Sequence, residues 1–351
     1  MTRKISILLC GLLTCLCFAG ASACDIPVFR YALERWPAER YRLEVFTGTE
    51  MTARQTGALK LLRSLASGPD NYANIDLHLS DHLPDGEPSI VLSHPLPNGK
   101  AIYIWSGKLT ETNASQITDS PLRRKISGLL GDGHSAVWVV LLCGDPQKDK
   151  AALEKLESAI DELEGTLSLP VAVEEINGEG LPELKVKFSL LALSRDDPNE
   201  EILAGMLIAS EPDLGSYSDQ PIAFPVFGRG RVLYALVGDG IERRNIRDAC
   251  AFLVGPCACE IKDLSPGMDL LMAADWAKLA GKSWVDRING GPLTSLAAFM
   301  GISRENAGNA SNSESRFSGL GFSILSAVAA VLLIVVVVSL RIVKSSKAGD
   351  K

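Results

Sequence analysis

The sequence carries none of the short motifs that commonly announce an enzyme. It contains no Gly-x-Ser-x-Gly, no P-loop, no His-Glu-x-x-His and no EF-hand loop. These absences remove the usual signatures of serine hydrolysis, phosphoryl transfer, zinc hydrolysis and calcium binding. Histidine is scarce, with four residues: His78, His82, His94 and His134. The four-residue spacing of His78 and His82 would place two metal ligands on one helical face. Here, however, it spans "HLSDH", which leaves a strand for a loop containing Pro84 and Gly86. They read as surface residues. Positive charge is also in deficit: 35 Lys and Arg against 42 Asp and Glu give a formal net charge of −7 and a pI near 5.3. Nucleic-acid binding calls for a basic patch, so no nucleic-acid partner is expected. "GRGR" (Gly228 to Arg231) sits inside a hairpin and reads as a turn rather than a phosphate loop.

What the sequence does have is two apolar ends of different kinds. Arg3 and Lys4 precede an apolar run from Ile5 to Gly20, and "ASA" (Ala21 to Ala23) supplies the small residues of a cleavage site. The run is shorter than the roughly 20 residues of a membrane span, so residues 1–23 are expected to be a signal peptide. Near the other end, "FSGLGFSILSAVAAVLLIVVVVSL" lies uncharged between Arg316 and Arg341. It is long enough to cross a bilayer as a helix, assigned to residues 318–340. Arg341, Lys344, Lys347 and Lys351 follow it, opposed only by Asp350, and its other flank is balanced. The positive-inside bias then predicts a bacterial inner-membrane protein with one span, a cytoplasmic tail (341–351) and an ectodomain outside the cytoplasm. "GISRENAGNASNSESRF" (Gly301 to Phe317) is polar and small, and residues 291–317 read as a flexible linker.

Between these ends, helical and strand periodicities alternate, which predicts an α/β fold. "VFRYALERW" sets Phe29, Ala32, Leu33 and Trp36 on one helical face. "YRLEVF" reads as a strand, Thr52 to Ala66 as a helix, then "NIDLHLS", "PSIVLSHP" and "AIYIWSG" as strands, and Ser120 to Leu130 as a helix. The order then recurs. "AVWVVLLC" is a central-strand run, and "KDKAALEKLESAIDELEGTL" is an amphipathic helix with Leu153, Leu156, Ile160 and Leu163 as its stripe. "LKVKFSLLALSR" is a strand. "DDPNEEILAGMLIAS" is a helix capped by Asp197 with Pro198 in its first turn. A hairpin (Pro221 to Gly238) and the helix "ERRNIRDACAFLVG" complete the unit, and Met268 to Trp284 is expected to pack as a terminal helix against the second domain.

The segments "PSIVLSHPLPNGKAIYIWSG" and "PIAFPVFGRGRVLYALVG" share a plan: proline, strand, Gly-containing turn, strand, glycine, helix. Each half also has Cys-x-x-Pro ahead of a helix, "CDIP" and "CGDP". This order resembles the thioredoxin fold, in two tandem copies over residues 24 to about 255; the first domain is set at 24–133 and the second, with a C-terminal helical extension, at 134–290. The resemblance implies cis-prolines at Pro88 and Pro221. Neither half has Cys-x-x-Cys, and the first lacks an evident opening strand. The whole chain also resembles a group of membrane-anchored bacterial proteins, a likeness that implies no particular activity.

Cysteine is where chemistry could reside. Cys10, Cys15 and Cys17 fall in the signal, leaving Cys24, Cys143, Cys250, Cys257 and Cys259, an odd number in an oxidising compartment. Cys24 is a lipidation candidate or a thiol near a helix N-terminus, where the macrodipole favours thiolate; packing is the plainer alternative. Cys143 stands where a thioredoxin-like half would carry its nucleophile, but Pro146 occupies the place of a resolving cysteine. In "GPCACE", residues two apart on a strand have Cα atoms roughly 6.6 Å apart, at the edge of the about 4.4–6.8 Å that a disulfide spans. A structural disulfide from Cys250 to Cys257 or Cys259 is therefore favoured over a redox-active Cys257–Cys259 pair. A zinc or copper site on Cys250, Cys257 and Cys259 ranks lower, for want of a fourth ligand. No cofactor is expected.

Two functions follow from these residues. The favoured one is a membrane-anchored binding or scaffold protein, its partners being the membrane itself and a protein or membrane complex. Ser323 with Ala327, and Ser326 with Ala330, put small residues at association spacing in the span. The alternative is a thiol–disulfide or copper-handling protein that uses Cys257 and Cys259, assisted by Cys143 or Cys24.

Overall fold

The fold begins with a short strand, β1 (Cys24–Pro27), that runs directly into helix α1 (Val28–Arg35). A computed structural model describes residues 24–67, 72–84, 86–96, 99–176, 180–257 and 267–289. The expected signal peptide, linker, membrane span and basic tail lie outside the described residues, as does Cys259; of Cys24 the backbone is described. No helix among the described residues is long and apolar enough to cross a membrane.

Alternation of apolar and polar residues builds the first sheet. Strand β2 (Tyr41–Phe46) buries Tyr41, Leu43 and Val45 and exposes Arg42. Helix α2 (Ala53–Ser67) leads to β3 (Ile75–Ser80), and β4 (Ser89–Pro95) with β5 (Ala101–Lys108) forms a hairpin. The sheet order is β3-β2-β4-β5, with β2 parallel to β3 and antiparallel to β4. Helix α3 (Glu111–Thr118), capped by the Thr110 side chain, precedes α4 (Pro121–Gly131), capped by Ser120. One face of this sheet stays open: Arg42, Asp76, His78 and Tyr103 are all exposed.

The second sheet repeats the plan. Strand β6 (Ala136–Leu142) is followed by α5 (Pro146–Thr166), the single-turn α6 (Val171–Ile176) and β7 (Phe188–Ser194). Then come α7 (Glu201–Ala209), β8 (Ile222–Phe227), β9 (Arg231–Val232) and β10 (Leu236–Val237). Here the order is β10-β8-β6-β7, with β6 parallel to β7 and antiparallel to β8. Strands β9 and β10 are two pieces of one hairpin arm along β8. The arm breaks opposite Pro225, whose carbonyl accepts from Leu233 N at 3.0 Å but which has no N–H to return. In both sheets the first strand therefore lies between the second, parallel, and the third, antiparallel.

Unlike the first sheet, the second is buried on both faces, and Ala136 to Leu141 are each fully enclosed. Val137, Val139 and Leu141 join Tyr41, Leu43 and Val45 and helices α2, α3, α4 and α7 in one core. Trp138 and Val140 join a second core with α5 and α8 (Arg243–Val254). Helix α7 comes so close to β5 that a Cβ on Gly205 would lie 3.2 Å from the Ile104 carbonyl.

The halves trade segments. From the N-terminus, α1 packs Val28, Phe29 and Ala32 into the second core, and β1 pairs with β11 (Pro256–Cys257). In return, a strap from Gly267 to Asp275 runs along β9, with Val232 N donating to Met268 O and Leu270 N to Gly230 O, both at 2.9 Å. It then bridges Ala73 through Ala273. At its start, a Cβ on Gly267 would fall 1.8 Å from the Val232 carbonyl oxygen, so only glycine fits. Helices α9 (Trp276–Ala280) and α10 (Trp284–Asn289) end the described chain. The described residues all belong to one compact unit.

Several expectations need correction. The terminal helix over Met268 to Trp284 is instead an extended strap with two short helices, and it touches the first half. The first half does open with a strand, but that strand pairs with β11 and not with its own sheet. Helix α7 starts at Glu201, because Asp197 closes a turn, accepting Asn199 N at 2.9 Å on its side chain and Glu200 N at 3.0 Å on its carbonyl. No cis peptide occurs among the described residues, so Pro88 and Pro221 follow trans bonds.

Candidate functional site

The end of β6 meets the start of α5 at the "CGDP" corner. Gly144 turns the chain with φ +87°, which favours glycine. Asp145 caps the helix, its Oδ1 accepting Gln147 N at 2.9 Å and Lys148 N at 3.2 Å, and Pro146 takes the first helical position. One turn further on, buried Asp149 accepts Cys143 N at 2.9 Å and Gly144 N at 3.0 Å. Arg195, half-buried after β7, donates to the carbonyls of Leu142 (3.0 Å), Tyr217 (3.2 Å) and Gln220 (3.2 Å). Lys148 Nζ reaches the Asp219 carbonyl at 2.8 Å. An open depression of about 670 Å³ lies over this corner, lined by Cys143 to Lys148 and Asp219.

The electrostatics of the corner oppose thiolate chemistry. Burial raises the Cys143 thiol above its ordinary pKa; the nearby Asp149 carboxylate adds to the rise, and the Asp145 backbone N–H only partly offsets it. A reactive cysteine needs the reverse shift. Pro146 stands three residues after Cys143, so the first turn of the helix offers no second thiol.

The remaining cysteine candidates are separated by the fold. Cys250, on α8, is a buried free thiol, so no disulfide joins it to Cys257 or Cys259 and that expectation is overturned. Trp138 contributes to its surroundings, and the buried indole N–H of Trp138 has no hydrogen-bond partner among the described residues. Burial pushes the Cys250 pKa up to about 12. Cys257 is buried on β11, with its Cα paired to that of Cys24. Among the described residues no cluster of three or more His, Cys, Asp and Glu side chains is placed to hold a metal.

Reading the sequence missed a second polar cluster, between the halves. Arg231 Nη1 meets Asp269 Oδ1 at 3.1 Å and Glu39 Oε1 at 3.6 Å, and His94 Nε2 lies 3.2 Å from Glu39 Oε2. Tyr41 donates its hydroxyl to the Asp269 carbonyl at 2.9 Å and stacks edge-on against His94. Burial, then Asp269 and Glu39, raises the Tyr41 pKa well above its ordinary value. Asn74 donates to Glu39 O (2.7 Å) and Leu270 O (3.1 Å) and accepts Met272 N (2.8 Å). The cluster reads as a lock between strap and first sheet, though the buried His94 Nδ1 has no hydrogen-bond partner among the described residues. No local pattern flags it, because its members are spread from Glu39 to Met272.

Compared with known protein families and with curated proteins, the chain matches none of them.

Proposed function

We propose that this chain is an exported, single-pass membrane protein whose ectodomain binds or scaffolds partners rather than catalysing a reaction. In this reading the two halves are thioredoxin-like units adapted to binding. Residues 318–340 hold them at the bacterial inner membrane, with residues 341–351 in the cytoplasm. The strand plan, second-first-third-fourth with a parallel first pair, recurs in both sheets and supports the thioredoxin-like comparison.

The observation that carries the non-catalytic reading is the Cys143 corner. A thioredoxin-like nucleophile position is occupied by a thiol held neutral, beside a carboxylate already committed to two backbone N–H groups. The alternative, thiol or copper chemistry at Cys257 and Cys259, draws less support because Cys257 is 1 % exposed. The test uses the full chain in membranes. Disulfide exchange with a model disulfide should proceed no faster than with an equal concentration of free thiol, and chemical cross-links to neighbouring proteins should survive Cys143→Ser. Rapid exchange lost in Cys143→Ser would overturn the reading.

A further inference from the structure

We propose that the free edge of β3 and the groove beside it receive an extended segment of a partner protein, one that presents an apolar side chain flanked by carboxylates. The inference gives the binding reading a surface and rests on that reading. Strand β3 pairs with β2 on one side and forms the edge of the first sheet. Tyr41 N donates to Asn74 O (2.8 Å) and Thr47 N to Ser80 O (2.9 Å). In a parallel pair the backbone groups of alternate residues turn to the same side. Asn74, Asp76, His78 and Ser80 therefore face β2, and the residues between them face outward. Of these, Ala73 is bridged by Ala273 of the strap, while Ile75 donates its N–H to Ala73 O and receives the Arg40 guanidinium on its carbonyl. Leu77 and Leu79 remain, their outward N–H and C=O groups without a partner among the described residues. An uncovered row of this kind is a template for another strand.

The side chains beside this edge select what can pair with it. Leu77 lies opposite Leu43, and Leu79 opposite Val45, on the face that α2 covers. Leu43 and Val45 are fully buried, whereas Leu79 is 46 % exposed, so the cover of α2 stops short of the edge strand. On α2, Lys60, Arg63, Ser64 and Ser67 recur at helical spacing and form one stripe. Together with Leu77 and Leu79 they line a groove of about 540 Å³. Such a stripe would be apolar if the fold itself filled the groove. Instead it carries Lys60 and Arg63, both exposed and without an ion-pair partner among the described residues. An extended segment laid along β3 sends alternate side chains into the groove. An apolar one covers Leu77 and Leu79, and carboxylates two residues to either side of it meet Lys60 and Arg63. A second copy of this chain is the wrong occupant. Pairing β3 with itself about a two-fold axis would bring both cationic stripes to one seam, like charge against like.

The experiment measures the fluorescence anisotropy of a labelled synthetic peptide, Thr-Glu-Thr-Leu-Thr-Glu-Thr, titrated with the full chain in detergent micelles. Saturable binding is expected. It should weaken by about tenfold or more when Lys60→Glu and Arg63→Glu are combined, and likewise when lysine replaces glutamate in the peptide, because exposed attractions become repulsions. N-methylation of one alternate set of peptide amides, those turned toward β3, should abolish binding, whereas methylation of the other set should be tolerated. Absence of saturable binding, indifference to the charge reversal, or indifference to both methylated sets would each overturn the proposal. So would a dimer of the full chain, seen by sedimentation, that Leu79→Lys dissociates. Cross-links to neighbouring proteins that form in membranes while the peptide fails to bind would refute this surface and leave the binding reading standing.

Discussion

Glu34→Ala should release the last two helices from the rest of the fold. The Glu34 side chain is 4 % exposed, and its carboxylate accepts Arg30 Nε (2.6 Å), Ser283 Oγ (2.6 Å), Trp284 N (2.9 Å) and Val285 N (3.0 Å). It thereby caps α10 from outside while pairing with a buried arginine. Hydrogen bonds to a charged group contribute roughly 1.5–3 kcal/mol each, but bonds sharing one carboxylate do not add. Breaking a buried ion pair costs about 3–5 kcal/mol. Arg30 keeps the carbonyls of Ala280 (2.5 Å) and Lys282 (3.1 Å), so its charge is not wholly stranded. A loss of about 4 kcal/mol is therefore expected. With a urea dependence of about 2.5 kcal/mol per molar, the midpoint should fall by ~1.5 M. Because the long-range contacts of Glu34 are confined to Ser283 and the start of α10, part of the loss should appear as local opening. Hydrogen exchange at Trp284 and Val285 should then accelerate before the sheets loosen. Glu34→Gln, which keeps an acceptor but not the charge, should fall between the two. A midpoint shift below about 0.3 M in Glu34→Ala, with unchanged exchange at Trp284, would refute the reasoning.

Three further outcomes are expected. Burial, reinforced by Lys187, holds the His134 imidazole below its ordinary value of 6.5. The unfolded chain then takes up that proton first, so stability is full above this value and declines as pH falls through the window beneath it. Urea midpoints between about pH 8 and pH 5 should show this slope, and His134→Asn should flatten it. Cys250, with its pKa near 12, should resist maleimide at neutral pH until the chain unfolds, while half-buried Cys143 labels slowly in the native state. Equal labelling rates would contradict the burial argument. Gly267→Ala, whose new Cβ would collide with the Val232 carbonyl, should displace the strap and lower the melting temperature by more than the few degrees typical of a surface change.

Much of the secondary structure was legible because it rests on local periodicity. Tyr41–Phe46 alternates, Ala136–Leu142 is uniformly apolar, and the α5 stripe repeats at helical spacing. Helix α3 was missed because it is short and largely polar, with Thr110 as its main signal. The strap was misread for a different reason. Leu270, Leu271 and Met272 suit a helix in isolation, but pairing with β9 and the bonds to Asn74 hold the segment extended. Tertiary contacts overrode propensity there. At the candidate site, the "CGDP" corner was visible as a strand-to-helix junction. The direction of the Cys143 shift was not, since it depends on Asp149 folding back onto the Cys143 and Gly144 amides. Likewise, nothing near Cys250 in the sequence indicates that Trp138, more than a hundred residues earlier, would occupy its surroundings.

The exchange of segments between the halves bears on how the molecule comes into being. Tyr41 waits for Asp269, 228 residues later, and Arg30 for Ala280, 250 residues later. A nascent chain emerging N-terminus first would present the strands of the first sheet long before the strap that locks them, leaving Asn74 and Glu34 with unmet partners throughout. Folding unit by unit during synthesis, the usual course for multi-domain chains, is closed to such a topology. Long-range closure of this kind is slow, so the fold should reach its final form only after its last helices have been delivered.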